Sequence, residues 1–327
     1  MTEIRRYTAD FAGQQTPVIE VSGTAPGPRL SVIAGVHGCE YASMAAVRRW
    51  VPGLAGRPLR GTVTVVPVVN LPAFRARSAF VVPEDGKNLN RCFPGDARGT
   101  LAERLADAVF RQVIAGRDAL VDMHAGDLVE ALEPFAMYDG GPAESDARAL
   151  ATGYGLGYVL RQAPGPGQTV AGSSSAAAAA EGIPAIIAEA GGCGLVEEAA
   201  VALHIAGLDG VLRHLEMLPP PEGPPEGPEG PAPQAPVYLD RFIWPRTATE
   251  GWWQPAVRPG QRVTRGQVLG TVSTLDGGTE LETVNAAADG VILFLTSSPA
   301  VAAGGLLLGL GAAAEAAGLA HAPTVRS

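Results

Sequence analysis

The sequence LSVIAGVHGCE, residues Leu30–Glu40, joins a short apolar run to a glycine-flanked His and a Glu. An apolar run of this length that ends at glycine is typical of a buried strand. His37 and Glu40 follow at its carboxyl end, where a helix is predicted to begin. Imidazole nitrogen and carboxylate oxygen are both ligands that zinc favours. We therefore interpret this stretch as a strand that presents two ligands of a metal site.

A third ligand must come from elsewhere, because a catalytic zinc ion takes three protein ligands and leaves one position for water. His124 ends a second apolar run, Ala119–Met123, just as His37 ends the first. In an open parallel sheet, ligands bind outside the carboxyl ends of the strands, so His124 is the predicted third ligand. The His-x-x-Glu spacing is weak evidence by itself, and a helix start with a capping glutamate is the alternative interpretation.

Strand and helix patterns alternate along the first two thirds of the chain. Strands are predicted at 16–21, 29–35, 61–70, 119–123 and 185–188, and helices at 40–54, from 100 onward, and at 145–154, 173–181 and 195–218. This alternation predicts an α/β fold with a mixed, mainly parallel sheet flanked by helices. The last strand delivers Glu189 to its carboxyl end. His204 and His214 are interpreted as surface residues of the last helix.

The composition also predicts the domain organisation. Residues 219–236 are nearly all Pro, Gly, Glu and Ala, which is typical of a linker. Residues 1–218 are predicted to form the α/β domain, 237–311 a small all-β domain similar to barrel-sandwich domains, and 312–327 a flexible tail. A charge-free stretch, 290–314, is long enough for a membrane span, but turn residues interrupt it, so we interpret it as two short strands.

Charge and cysteine content exclude several classes of protein. The formal net charge is −9 and Lys87 is the sole lysine, which argues against nucleic acid as a partner. The three cysteines have no CxxC spacing, which argues against a disulfide framework and a cysteine zinc site. No signal peptide is recognisable at the N-terminus. We therefore expect a cytoplasmic protein without a membrane partner.

Three further motifs accompany Gly35–Glu40. They are DGKNLNRCFPG at Asp85–Gly95, DMH at Asp122–His124, and PAIIAE at Pro184–Glu189. With these four motifs in this order, the chain from about residue 29 to 310 resembles the succinylglutamate desuccinylase and aspartoacylase family. This family is related to the zinc carboxypeptidases, so the resemblance implies a zinc carboxypeptidase-like fold.

The resemblance implies a role for each motif. His37, Glu40 and His124 are the expected ligands of one Zn²⁺ per chain. Glu189 is the expected general base, because a carboxylate near a zinc-bound water can accept its proton. Family members often carry Asp or Asn at the position of Cys39, which we interpret here as a small buried residue.

Substrate binding is assigned to arginine and asparagine. Arg91 has a planar guanidinium that suits a carboxylate, and Asn90 can donate a hydrogen bond beside it. Arg77 matches the family position that faces the developing oxyanion, although Arg75 competes for this role. Asp127 either orients a metal ligand or caps a turn, and the sequence does not decide between the two.

The sequence therefore predicts a zinc-dependent amide hydrolase that releases a carboxylate from a small N-acyl amino acid or a related N-acylated amine. A metallocarboxypeptidase acting on short peptides is the nearest alternative, because the same residues serve both reactions. A non-catalytic binding or structural module is the alternative from another class, since 257–310 is similar to lipoyl and biotinyl domains. That half of the chain contains no lysine, so it has no cofactor-carrying arm. Homo-oligomer formation is left open.

Overall fold

The computed structural model describes residues 2–162, 171–220 and 235–313. A nine-stranded mixed sheet lies at its centre, in the order β1-β2-β4-β3-β5-β9-β7-β8-β10. The first ten strands are β1 (Glu3–Phe11), β2 (Gln14–Ser22), β3 (Ala25–Ala34), β4 (Arg60–Val66), β5 (Ala119–His124), β6 (Glu130–Leu132), β7 (Phe135–Asp139), β8 (Tyr158–Gln162), β9 (Ala185–Glu189) and β10 (Val237–Leu239). Strand β6 lies outside this sheet.

The centre of the sheet is parallel. Strand β3 pairs in parallel with β4 on one side and β5 on the other, and β5 pairs in parallel with β9. Strands β3, β5 and β9 therefore end at the same edge. Antiparallel pairs lie on both sides of this centre, β2 with β4 and β7 with β9. The predicted mixed, mainly parallel α/β sheet is confirmed.

Helices cover both faces of the sheet. Side chains alternate between the two faces along each strand, so strands that are apolar throughout need a covering layer on each side. On β3, Leu30 and Val32 belong to one hydrophobic core, and Ile33 belongs to the other. The helices are α1 (Tyr41–Trp50), α2 (Leu71–Ala76), α3 (Leu101–Val109), α4 (Glu144–Tyr154), α5 (Ser174–Ala180) and α6 (Glu198–His214). The first core is shared with α1, α4 and α6, and the second with α3 and α5.

Local hydrogen bonds explain where two of these helices begin. The Glu103 carboxylate accepts a hydrogen bond of 2.8 Å from the backbone N–H of Thr100, as the sequence pattern predicted for α3. Helix α2 begins at Leu71, shortly after the end of β4. It begins there because the Asn70 side chain accepts a hydrogen bond of 3.1 Å from the backbone N–H of Ala73.

The C-terminal part consists of two antiparallel sheets around a third hydrophobic core. One sheet has the order β11-β18-β16-β13, and the other β15-β14-β12-β17. The strands are β11 (Arg241–Ile243), β12 (Gly251–Pro255), β13 (Arg262–Val263), β14 (Val268–Ser273), β15 (Glu280–Asn285), β16 (Gly290–Thr296), β17 (Ala300–Val301) and β18 (Leu308–Ala312). Three strands, β16, β17 and β18, lie in the described part of the charge-free stretch, where two short strands were predicted. Within the described ranges, no helix has the length and apolar character needed to cross a membrane.

Two strand pairings cross the predicted domain boundary. Strand β10 adds in parallel to β8 at the edge of the large sheet, and β6 adds to β16 of a C-terminal sheet. A fourth core lies between the two parts and includes Phe135, Ile187, Phe242 and Phe294. The predicted linker lies mostly outside the described residues, as does the predicted tail after residue 313.

His204 differs from its prediction as a surface residue, because its side chain is fully buried. Residues 200, 201, 208 and 211 on the same face of α6 are buried as well, so the helical period already placed position 204 inside. The ring lies between the Tyr154 hydroxyl, 2.7 Å from Nδ1, and the Ala190 carbonyl oxygen, 3.1 Å from Nε2. His204 therefore anchors the backbone immediately after Glu189. His214 is exposed, as predicted.

The buried position of His204 makes the stability of the protein depend on pH. Burial lowers the pKa of His204 to about 4, whereas the unfolded chain takes up this proton below its ordinary pKa of about 6.5. The stabilisation is therefore complete above pH ~6.5 and is lost as the pH falls toward ~4. Between pH ~7 and ~5, we expect the free energy of unfolding to fall by about 2 kcal/mol more in the wild type than in His204→Gln.

Urea unfolding of both proteins at the two pH values measures this difference. Glutamine can accept from Tyr154 and donate to Ala190, so His204→Gln removes the titration and retains the hydrogen bonds. His214→Gln is the matched control, because His214 is exposed on the same helix, and it should behave like the wild type. Equal pH dependence in the wild type and His204→Gln would contradict the prediction.

Candidate active site

Three strand ends of the large sheet bring the candidate residues to one edge. His124 is the last residue of β5, and Glu189, its register partner, is the last residue of β9. His37 lies three residues after β3, and Glu40 immediately precedes α1. The loop between them passes close to α2, because a Cβ atom on Gly38 would lie only 2.3 Å from the backbone of Ala73. Only glycine fits there.

The side chains of His37, Glu40 and His124 converge into one buried group. Their ligand atoms all lie within 4.8 Å of one another. The Nδ1 atoms of His37 and His124 lie 2.6 Å and 2.8 Å, respectively, from the two carboxylate oxygens of Glu40. The convergence predicted from the strand ends is therefore confirmed, and this group could hold a metal ion.

The outer nitrogen atoms of both imidazoles have their own partners. His124 Nε2 lies 3.1 Å from an oxygen of Asp122, and His37 Nε2 lies 3.1 Å from Oδ1 of Asn88. Asp122 also accepts a hydrogen bond from the Ser174 hydroxyl. If each Nε2–H donates outward, each Nδ1 lone pair faces the centre of the group, which is the tautomer that a metal ligand needs. Two imidazoles and one carboxylate, oriented in this way, fit a catalytic zinc ion.

The charges of Glu40 and the two histidines stabilise one another. Burial opposes ionisation of Glu40, but the two imidazoles, His124 foremost, lower its pKa to about 2. Burial likewise acts to lower the pKa of each histidine. It is outweighed by Glu40 for His37 and by Asp122 and Glu40 for His124, so both pKa values lie above the ordinary range. A bound cation would compete with protons for the same nitrogen atoms.

Glu189 lines the same cavity as the three candidate ligands. Burial raises the pKa of Glu189, His124 acts to lower it, and the carboxylates of Glu40 and Glu130 raise it further, to about 8. A carboxyl group with a pKa near neutrality can both accept and return a proton. A cation held by the neighbouring ligands would shift Glu189 toward its ionised form.

Asn90 and Arg91 also line the cavity. Asn90 is buried, and its carbonyl oxygen accepts a hydrogen bond of 3.0 Å from the backbone N–H of Ser174. Its amide nitrogen lies 3.5 Å from Nε2 of His124. Arg91 is exposed and donates to the backbone oxygen of Asn90 at 2.8 Å, and within the described residues it has no acidic partner. Its guanidinium is therefore available to an anion at the rim of the cavity.

Arg77 is the predicted residue that the structure does not bring to the cavity. It ends α2 in a left-handed conformation, with φ 54°, and its side chain is exposed. Neither Arg77 nor Arg75 lines the cavity. The choice between them as the residue that faces the oxyanion stays a prediction.

Cys39 and Asp127 both lie close to the candidate ligands in sequence, and the structure shows what each side chain contacts. Cys39 is fully buried, as predicted, with its Sγ 3.7 Å from the Tyr41 hydroxyl. Asp127 accepts hydrogen bonds from the backbone N–H groups of Leu128, at 2.7 Å, and Phe80, at 2.8 Å. The Phe80 ring packs edge-on to His37 with 6.2 Å between centroids. Asp127 thus caps a turn and also holds a loop against His37.

The cavity has a volume of about 390 Å³, and several of its walls were not predicted from the sequence. Glu130 lines it, and burial and the nearby Glu40 raise the pKa of Glu130 to about 7. The sequence offered one indication that Glu130 belongs to the site, which is its position only six residues after the candidate ligand His124. The unpredicted side chains are Phe80, Asn88, Val129, Glu130, Leu132, Phe135, Met137, Ile187, Phe242, Trp244, Phe294, Thr296 and Leu306.

Fold and site together define the family of this protein. The sequence model of the succinylglutamate desuccinylase/aspartoacylase catalytic domain matches residues 26–215. The chain belongs to this family. The matched residues include His37, Glu40, His124 and Glu189.

Several relatives are similar over most of their length. N-alpha-acetyl-L-2,4-diaminobutyric acid deacetylase from Halomonas elongata is 30% identical over 254 residues, which cover 75% of this chain and 70% of that protein. The product-bound ectoine utilization protein EutE (DoeB) from Ruegeria pomeroyi is 23% identical, with a TM-score of 0.78 over 95% of both chains. A succinylglutamate desuccinylase/aspartoacylase from Rhodobacter sphaeroides is 24% identical, with a TM-score of 0.76 over 96% of both chains. These two structures share the fold.

Proposed function

We propose that this protein is a zinc-dependent deacylase that hydrolyses the amide bond of a small N-acyl amino acid or a related N-acylated amine. The observation that carries the proposal is the convergence of His37, Glu40 and His124 beside Glu189 in one cavity. The donor set of two imidazoles and a carboxylate is one that catalytic zinc sites use. One zinc ion per chain and a cytoplasmic location are parts of this proposal.

The proposed chemistry divides between the metal and the protein. A zinc ion held by the three ligands would polarise the amide carbonyl and lower the pKa of water. Glu189 accepts a proton from the attacking water and returns it to the leaving amine nitrogen, and a cation held by the neighbouring ligands would favour the ionised form that accepts this proton. Asn88 and Asp122 hold the two imidazole rings in position through their outer nitrogen atoms. The arginine that stabilises the oxyanion, Arg77 or Arg75, is not part of the cavity lining.

The proposed substrate class rests on the relatives and on the rim of the cavity. The relative from Halomonas elongata is named for removing an acetyl group from an amino acid. Within the described residues, Arg91 offers a guanidinium without an acidic partner in the same cavity as the candidate metal ligands, and a guanidinium binds a carboxylate through two parallel hydrogen bonds. We therefore propose that the amine half of the substrate carries a carboxylate, which Arg91 and Asn90 bind.

The experiment that tests the function is an assay of the zinc-loaded protein against N-acetyl amino acids and dipeptides. A deacylase releases acetate and the free amino acid, and mass spectrometry identifies both products. Cleavage of dipeptides in preference to every N-acyl amino acid would favour the alternative, a metallocarboxypeptidase. Turnover of neither class by protein with bound zinc would contradict the proposal.

Arg91→Lys tests the carboxylate contact. Lysine keeps the positive charge but cannot form two parallel hydrogen bonds. We expect KM to rise about tenfold with a smaller change in kcat, because the contact is made both before and during the reaction. Steady-state kinetics with one N-acetyl amino acid and its carboxamide measures the effect, and the carboxamide should be a poor substrate of the wild type.

Arg98→Lys is the control for this substitution. Arg98 is exposed on the same loop but does not line the cavity, so its variant should keep the wild-type KM. If the wild type cleaved the free acid and the carboxamide equally well, Arg91 would not be a carboxylate-binding residue.

A further inference from the structure

Along strand β9, the side chains that line the cavity change from polar to apolar within two residues. In the antiparallel pair β7–β9, Glu189 faces Phe135, and Ile187 faces Met137. Cross-strand partners point to the same side of a sheet, as do residues two apart along a strand. All four side chains line the cavity, so moving away from Glu189 leads directly onto Ile187 and Met137. These two residues are buried, at 2% and 6% exposure.

A second pair of strands that lines the cavity shows a similar change. In the pair β6–β16, Glu130 faces Thr296, and Leu132 faces Phe294. All four of these side chains line the cavity as well. Two residues further along these strands, a pair of polar side chains is therefore replaced by a pair of apolar ones. We call the apolar end of the cavity, lined by Leu132, Met137, Ile187, Phe242, Trp244 and Phe294, the apolar chamber.

Aromatic packing fixes the shape of this chamber. The ring of Phe242 packs edge-on against Trp244, with 5.2 Å between centroids, and against Phe294, with 5.9 Å. Trp244 and Phe294 also pack against each other at 6.0 Å. Arg91 is the sole Lys or Arg that lines the cavity within the described residues. The chamber therefore offers a second carboxylate no cationic partner.

We propose that the apolar chamber binds an uncharged, apolar group of the substrate that lies next to the scissile amide. This inference rests on the proposed deacylase function and names its substrate class. A carboxylate buried there would lose its hydration without gaining an ion pair. An aliphatic or aromatic group would gain by leaving water and would contact preformed apolar walls. The preferred substrates are therefore N-acyl amino acids with a single carboxylate and an apolar side chain or an apolar acyl chain.

A substrate panel with two arms tests the proposal on the zinc-loaded, full-length protein. The first arm keeps the acetyl group and varies the amine through glycine, leucine, phenylalanine, aspartate and 2,4-diaminobutyrate. The second arm keeps glycine and compares acetyl with hexanoyl. N-succinylglutamate, which carries three carboxylates, is the charged reference for both arms. In one of the two arms, we expect kcat/KM for a substrate with an apolar side chain or acyl chain to exceed that for every substrate with a second charged group by about tenfold or more. The arm that responds identifies which half of the substrate occupies the chamber.

Variants of the chamber connect that preference to its walls. Phe294→Ala should lower the ratio of kcat/KM for the best apolar substrate to that for N-acetylglycine by about tenfold. Phe110→Ala is the matched control, because Phe110 is similarly buried, at 8% against 6% exposure, but belongs to another core and should keep the wild-type ratio. Leu306→Ala is a milder second variant at the cavity wall, since Leu306 is only partly buried.

The outcomes separate this inference from the function on which it rests. Preferred cleavage of N-acetylaspartate, N-succinylglutamate or N-acetyl-diaminobutyrate would overturn the apolar chamber and leave deacylation standing. If no amide is cleaved, calorimetric binding of N-acetylleucine and N-acetylaspartate decides the point. Tighter binding of N-acetylleucine, weakened by Phe294→Ala, would support the chamber although the proposed function had failed. Equal or tighter binding of N-acetylaspartate would overturn the chamber.

Discussion

Glu189→Gln is expected to lower kcat by about a hundredfold or more while the protein keeps its fold and its metal. Glutamine has the shape of glutamate and can form hydrogen bonds, but it cannot accept a proton from water. Glu189 ends β9 beside His124, so its side chain lines the cavity next to the candidate metal ligands. Steady-state kinetics, circular dichroism and metal analysis on the same preparation measure the three properties together.

Glu130→Gln is the most informative comparison, because Glu130 is the other carboxyl group in the cavity with a pKa raised toward neutrality. We expect its effect on kcat to be smaller than that of Glu189→Gln. Glu133→Gln changes a glutamate that does not line the cavity and should keep the wild-type rate. Wild-type turnover by Glu189→Gln, or a larger loss in Glu130→Gln, would show that Glu189 is not the general base.

His124→Ala is expected to abolish stoichiometric zinc binding and to lower activity by well over a hundredfold. A site with two of its three protein ligands is incomplete. Loss of a residue that only hydrogen-bonds to a metal ligand already lowers metal affinity or activity by about 10- to 100-fold. Loss of a ligand itself should therefore lower activity by more than this. Asp122→Asn removes the carboxylate beside His124 Nε2 and should fall within that smaller range. Native mass spectrometry of the folded variants gives the metal content.

His214→Ala is the control for the loss of a histidine, since His214 is exposed and far from the group in sequence. It should bind one zinc ion and keep the wild-type rate. Treatment of the wild type with a chelator should abolish activity, and added zinc should restore it. Retention of one zinc ion per chain by His124→Ala would exclude His124 as a ligand and would require a different donor.

The C-terminal part contributes to the site through packing rather than through candidate ligands. All three candidate ligands precede residue 219, whereas Phe242, Trp244 and Phe294 come from beyond it. Strands β6 and β10 join each part to a sheet of the other. This arrangement gives the predicted C-terminal domain a physical role, because it forms much of the apolar wall around the space where a substrate would bind.

Local sequence patterns were enough to predict the central sheet and the meeting of His37, Glu40 and His124. Apolar runs that end at glycine or at a polar residue predict buried strands from the local sequence alone. The carboxyl ends of neighbouring parallel strands lie at the same edge of the sheet. Strand ends are therefore enough to predict which side chains converge. The helix start at Thr100 followed from an equally local pattern, a capping residue with a glutamate three positions later.

The side chains that surround this group could not be predicted from local patterns, because they depend on long-range packing. Asn88 reaches the cavity from a loop, and Glu130 and Phe294 reach it from the paired strands β6 and β16, which are far apart in sequence; no local pattern predicts such long-range packing. His204 was wrongly predicted to be exposed although the apolar period of α6 indicates burial, and only the folded structure shows the partners, Tyr154 and Ala190, that make a buried histidine tolerable there. Burial depends on what packs against a residue, and that is set by the whole fold.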